Sequence, residues 1–287
     1  MEPVIILEGG KLEQFLLISD VHIDNPKCQR DLLKRDLDEA QARGARVLMN
    51  GDLFDIMQGL TDKRHTKGDL MPRHRGPNYF DLVVEDAVEF FAPYAENLVM
   101  TGYGNHETSV LKKQEHDVLA NFCYRLRVEH NSPIQLGGYG GWVVFQLNDG
   151  GHKATFKMKY FHGSGGGGPV TKGAIRHQRK QASIHGADII WQGHIHELQE
   201  DTSVVETLDH HVRTGYRVKL QEVTHIRTST YKEEYGDGTK GWHVERDAPP
   251  KPLGGYWLTL GLDYTNVGRV AKYMEVVKTK RYQDLSQ

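Results

Sequence analysis

Cysteine is almost missing from this chain: Cys28 and Cys123 are the two it has. They fit no disulfide framework and no thiolate metal spacing, so the expectation is a pair of reduced, buried thiols in a cytoplasmic protein. Long apolar runs are absent as well. No stretch approaches the ~20 apolar residues that a membrane span needs. The short run from Val4 to Leu7 has no basic residue before it, so neither a signal peptide nor a membrane partner is expected. An excess of charge is lacking too: 36 Lys and Arg against 38 Asp and Glu leave a net charge of −2. Such a chain has no global pull on polyanions, and any phosphate-bearing partner must be held by local features. Nor is there a repeat at solenoid spacing.

What the chain has in quantity is histidine, 16 copies. Five of them fall in an ordered series with acidic and amide side chains: Asp20-Val21-His22, Gly51-Asp52, Gly104-Asn105-His106-Glu107, His162, and Gly193-His194-Ile195-His196. Asp20 and His22 are two residues apart, as are His194 and His196, and in extended backbone such pairs lie on one face and reach a common site. Asp52 has two oxygens, enough to bridge two cations. Asn105 adds a neutral oxygen, which limits the negative charge. Imidazole, carboxylate and amide donors without thiolate suit Mn²⁺, Fe, Zn²⁺, Co²⁺ or Ni²⁺ better than Ca²⁺. Two such ions ~3.5–4 Å apart can activate a water and clamp the oxygens of a phosphoryl group.

The flanking pattern says where these residues sit. Apolar runs at 15–19, 46–50, 98–101, 153–160 and 187–192 read as strands, and each ends just before one of the clusters. Helical spacing covers 27–43, 79–91, 110–126 and 171–185. In open α/β sheets, ligands bind beyond the carboxyl ends of the strands, so all five contributors are expected in loops on one edge. After Glu197, β-branched and aromatic residues alternate and helical signal is weak. One domain is therefore expected over 1–287: a motif-bearing α/β part at 12–200, and a β-rich remainder at 201–287 that builds the second sheet.

The ordered series Asp-x-His, Gly-Asp, Gly-Asn-His-Glu, His, Gly-His-x-His resembles that of the calcineurin-like metallophosphoesterases, over Asp20 to His196. The phage and bacterial members are the most similar. The resemblance implies an α/β fold of four layers, an α-β-β-α sandwich of two mixed sheets, with two divalent metal ions at the sheet edge, Mn²⁺ first among the candidates. It implies Asp20, His22, Asp52 and His196 as ligands of one ion and Asp52, Asn105, His162 and His194 as ligands of the other. It further implies His106 as the general acid or phosphate contact, and Asp55 as the carboxylate that pairs with it and raises its pKa. The implied reaction is hydrolysis of a phosphate ester by a metal-bound hydroxide. Protein serine/threonine phosphatases follow the second Asp with Arg-Gly, where this chain has Ile56-Met57. The substrate expected is therefore a phosphodiester, nucleic acid or nucleotide. A small-molecule phosphomonoesterase is the alternative within the class, and a scaffold that kept the fold and lost catalysis is the alternative outside it.

Other features carry less. His162 stands alone, and His152 and His177 compete for its place. Gly163 to Gly168 lacks the Lys-Ser/Thr ending of a P-loop, which argues for a tight turn or rim beside the metals. The basic insert after the Asp52 loop offers Lys63, Arg73 and Arg75 as substrate contacts, against the ordinary reading of a solvated polar loop.

Overall fold

A computed structural model describes residues 2–57, 70–166, 170–212, 215–233, 235, 249–264 and 270–279. Two mixed sheets of six strands lie face to face with helices outside them. One sheet is built around β2 (Leu12–Ile18), β3 (Arg46–Asn50), β4 (Leu98–Gly102) and the short β5 (Gln135–Leu136), all parallel. β11 (Tyr256–Tyr264) and β12 (Val270–Lys278) extend it antiparallel on the β2 side. The other sheet runs β1 (Val4–Gly9), β6 (Gly140–Asp149), β7 (His152–Phe161), β8 (Ile189–Gln192), β10 (Gly215–Arg227), β9 (Gln199–His211).

Period-two burial fixes the layers. In β2, Leu16 and Ile18 face α1 (Arg30–Ala42), α2 (Tyr79–Phe91) and α4 (Val118–His130), while Phe15 and Leu17 face the second sheet. In β3, Val47 and Met49 turn to the helices and Leu48 to the sheet. Phe145, Phe156, Met158 and Trp191 meet them from the other side, all buried. The fourth layer is thin: Ala187, Ile190 and Val223 pack with Ile184, which follows α5 (Ala174–Ser183). Among the described residues no helix is long and apolar enough to cross a membrane. Cys28 and Cys123 are buried and free, and burial pushes each thiol up to about 12.

Two expectations need correcting. The helix read over 110–126 is two helices, α3 (Asn105–Gln114) and α4, separated by Glu115 in the left-handed conformation with φ 54°. Asp117 starts the second by accepting the Ala120 N–H at 2.9 Å. The stretch beyond 200 does not form the second sheet by itself. β9 and β10 complete one sheet, and β11 pairs with β2 in the other, with β12 outside it. The reason is that β2 is a strand buried on both faces, so each of its edges needs a partner; β3 covers one, and β11 covers the other.

Candidate metal centre

The carboxyl ends of six strands share one edge of the molecule. Ile18 pairs with Met49 and Asn50 with Gly102 in the first sheet, and Phe161 with Gln192 and Gln192 with Arg227 in the second. The residues that follow are Asp20 and His22, Asp52, His162, and His194 and His196. Asn105 and His106 differ slightly from expectation: they occupy the first turn of α3, not a loop.

The loops are stitched together before any side chain is considered. Asp20 N–H donates to Gly51 O at 3.0 Å, His22 N–H to Asp52 O at 3.1 Å, and Gly193 N–H to His162 O at 2.9 Å. Asp20, His22, Asp52, His194 and His196 all have positive φ, between 50° and 71°. Non-glycine residues adopt that region rarely, and such strain clusters where surrounding structure over-determines it. Two glycines allow the close approach. A Cβ on Gly104 would collide with the Asp52 carboxylate, and one on Gly193 would lie 2.6 Å from Ser19 Oγ and 2.7 Å from Asp20 Oδ2.

Three groups each bring their ligand atoms within 4.8 Å of one another: Asp20, His22 and His196; Asp52, His162 and His194; and His22, Asp55 and His106, which shares His22 with the first. The first two match the sets expected from the sequence except for Asn105 and the shared role of Asp52. Asp20 Oδ1 lies 3.3 Å from His196 Nε2 and 3.9 Å from His162 Nε2, which is 3.2 Å from Asp52 Oδ2. Asp20 Oδ1, His22 Nε2, Asn105 Oδ1 and His162 Nε2 are buried with no hydrogen-bond partner. Four orphaned donor atoms at one strand edge are the signature of a cation-shaped need, because buried polar groups are otherwise paired. The described His and Asp groups fit a divalent metal ion.

Electrostatics agree. Burial opposes the charge of Asp20 and Asp52, but His162 and its neighbours outweigh it and hold both carboxyls below the ordinary range. Burial likewise works against a charged His162, yet Asp52 and Asp20 push its imidazole up to about 10. Carboxylates that force a proton onto histidine mark where positive charge is wanted. His22 and His194 are lowered by burial and so remain neutral donors. His162 Nδ1–H donates to Asn50 O at 2.7 Å, which turns Nε2 toward the carboxylates.

His106 and Asp55 are brought together, with a different geometry from the one expected. His106 Nδ1–H donates to the backbone carbonyl of Asp55 at 2.6 Å, while the Asp55 carboxylate is 3.7 Å away. That carboxylate lies closer to His22 Nδ1, at 3.1 Å, and accepts from Asn25 Nδ2 at 2.6 Å and Lys232 Nζ at 3.3 Å. Burial opposes a charged His106, but Asp52 and Asp55 raise its pKa. His106 Nε2 is 3.7 Å from Asp52 Oδ2.

Several supporting residues escape a reading of the sequence for ligands. Glu107 accepts N–H bonds from Gly104 at 2.8 Å, Phe54 at 3.0 Å and Asp52 at 3.2 Å, tying the second and third loops together. Its signal is the glutamate at the third helical position, the capping-box spacing. Ser19, Thr228 and Thr230 have no comparable signal; Thr230 Oγ–H donates to Asp20 O at 2.7 Å and Ser19 Oγ is 2.7 Å from Thr228 Oγ1. Of the basic insert, Arg73 is paired with Asp86 of α2 together with Arg30 and His74, Arg75 is exposed, and Lys63 lies outside the described residues. Gly167 and Gly168 also lie outside them, as do the side chain of His177 and residues 247–248. His152 opens β7 at its far end, paired with Asp149, so His162 takes the place in the site.

No family model and no curated protein matches the chain. Among solved structures it is similar to "GAP50 the anchor in the inner membrane complex of Plasmodium", with 12% identity and a TM-score of 0.41 over 94% of this chain and 90% of that one. It is also similar to Vps29 of Chaetomium thermophilum, with 10% identity and a TM-score of 0.30 over 93% of this chain and 98% of that one.

Proposed function

We propose that this chain is a dinuclear metal-dependent phosphoesterase whose substrate is a phosphodiester, in nucleic acid or a nucleotide. The observation that carries the reading is the meeting of two His/Asp groups with four buried, unpaired donor atoms at one strand edge. Asp20, His22 and His196 would hold one ion and Asn105, His162 and His194 the other, with Asp52 shared between them. Manganese is the first candidate, and two such ions would supply charge stabilisation to the phosphoryl oxygens and lower the pKa of a water.

The chain's own residues then have distinct tasks. Because His106 Nδ1–H is spent on the Asp55 carbonyl, the proton it can give is the one on Nε2, beside Asp52. The neighbouring carboxylates keep that proton in place, so His106 acts as general acid towards the leaving oxygen. Asp55 is a positioning residue: its carbonyl orients His106 and its carboxylate orients His22. The missing Arg-Gly after Asp55 supports a diester over a phosphoprotein.

Purified protein reconstituted with Mn²⁺ should hydrolyse bis-p-nitrophenyl phosphate faster than p-nitrophenyl phosphate and carry close to two metal equivalents. Asp52→Asn should lose activity by about 10²-fold or more, because the carboxylate that would hold both ions is gone. A preference for the monoester would replace the diesterase with a phosphatase. Full metal content with silence on both substrates would sink the enzymatic reading.

A further inference from the structure

β10 ends on Arg227, in register with Gln192, and Gln192 is in register with Phe161. The next residues after Phe161 and Gln192 are His162 and Gly193-His194, so Arg227 stands one row behind two of the candidate metal loops. It is 1% exposed. Its Nη1 donates to Lys172 O at 2.8 Å and its Nη2 to Gly173 O at 3.1 Å, while Nε has no partner. Among the described residues no carboxylate forms an ion pair with it. Two carboxylates act on it from further off, Glu197, which is bonded to Lys251 Nζ at 2.6 Å, and Asp201. Carbonyl oxygens satisfy N–H groups without neutralising a cation, and a buried guanidinium without a directly paired carboxylate is costly to keep. Burial accordingly pushes its pKa below the usual value.

Arg227 lines a cavity of about 270 Å³ shared with Ser164, Arg179, Gly163 and Gly193. Two arginines and two serines, Ser164 and Ser183, give the lining groups suited to a phosphate beside the apolar Phe161 and Ile195, and guanidinium groups grip phosphate with paired N–H bonds. Gly163 and Gly193 leave the wall toward the metal loops without side chains; a Cβ on Gly163, at φ 125°, would lie 2.9 Å from His194 Cβ. The scissile phosphate belongs at the metal ligands, so the cavity is free for a different group.

We infer that this cavity takes a second phosphate of the substrate, with Arg227 as its fixed cation and Arg179 as a gripping side chain from α5. The inference rests on the phosphoesterase reading and narrows its substrate class to phosphodiesters that carry a neighbouring phosphate. That phosphate is either the flanking link of a polynucleotide or the terminal group of a nucleotide, and the chemistry at the cavity is the same.

The test compares kcat/KM for the p-nitrophenyl ester of thymidine 5′-phosphate with and without a 3′-phosphate, in wild type, Arg227→Gln, Arg227→Lys and Arg179→Ala. Wild type should prefer the 3′-phosphorylated substrate by about tenfold or more, the worth of one charge-assisted hydrogen bond. Arg227→Gln should bring the ratio near one, Arg227→Lys should restore part of it, and Arg179→Ala should reduce it severalfold. No preference in wild type, or a preference that survives both Arg227→Gln and Arg179→Ala, overturns the inference. If Arg227→Gln does not fold, judged by circular dichroism, the Arg179→Ala ratio decides alone. The same ester of thymidylyl-thymidine, whose flanking phosphate is a diester, separates the two sources: a preference dependent on the arginines there assigns the cavity to a polynucleotide backbone. If no ester is cleaved, the phosphoesterase reading has failed. Calorimetric binding of thymidine 3′,5′-bisphosphate against the 5′-monophosphate, in wild type and Arg179→Ala, then judges the cavity by itself. Equal affinity for the two ligands would overturn it.

Discussion

Between the two sheets, Phe15, Leu17, Leu48, Phe145, Phe156 and Met158 are buried to within 1% exposure and alternate faithfully along their strands. One or two residues past the ends of those same strands, the buried groups are Asp20, Asp52 and His162, several backbones have positive φ, and four donor atoms have no partner. Every local rule obeyed in the interlayer is broken at the edge. The broken rules cost about 1–3 kcal/mol per strained residue, so the interlayer stabilises a rim that would not hold its shape alone.

Removing packing from the interlayer should therefore have the largest effect on stability. Phe145→Ala, losing its edge contact with Phe15 at 4.7 Å between ring centroids, should cost about 3–5 kcal/mol in denaturant unfolding. The folded fraction should keep its turnover per molecule, and a loss of turnover in folded protein would show that the two regions are not separable. At the rim the contrast runs the other way, because the missing stability is supplied by ligand. Mn²⁺ at a hundredfold excess over its dissociation constant should stabilise the protein by about 2.7 kcal/mol. His162→Ala should abolish most of that increment while costing metal-free protein far less than Phe145→Ala.

Acid sharpens the comparison at a third place, where α2 meets the basic insert. Burial opposes the charge of Asp86, but His74, Arg30 and Arg73 outweigh it and hold the carboxyl at about 2. An unfolded aspartate titrates near ~3.9, so this ion pair contributes fully above about pH 4 and is lost as pH falls toward 2. The contribution is at most about 3 kcal/mol, and Asp86→Asn should flatten the unfolding midpoint across that window. The smallest effect is expected at Glu115, strained but outside the site. Glu115→Gly should stabilise by about 1 kcal/mol, read as a small rise in Tm, and leave metal binding untouched.

The sequence was most legible where one local signal sufficed. α2 spans Tyr79–Phe91 because its apolar spacing runs unbroken from Tyr79 and Pro93 lies just past its end. The break between α3 and α4 was hidden because the chain turns there on Glu115, where a glycine would have announced it. The capping aspartate, Asp117, was visible only as one more polar residue in a helical stretch. At the site, the ligand series was readable because metals demand particular donors at particular strand ends. Contacts such as Lys232 to Asp55, or Thr230 to Asp20, join residues far apart in the chain, and no window of sequence contains both partners. For the same reason the sheet membership of β11 could not be read locally: its own residues say strand, and only the unfilled edge of β2 says where.

That edge has a consequence for how the protein is made. Leu12 pairs with Gly261 and Leu17 with Tyr256, so β2 waits for a partner synthesised roughly 240 residues later. At about 5–20 residues per second, the wait on a ribosome is on the order of 10–50 s. Throughout it, Phe15 to Ile18 presents an open ladder to any neighbouring nascent chain. A circular permutant that brings β11 next to β2 in sequence would emerge with that edge already closed.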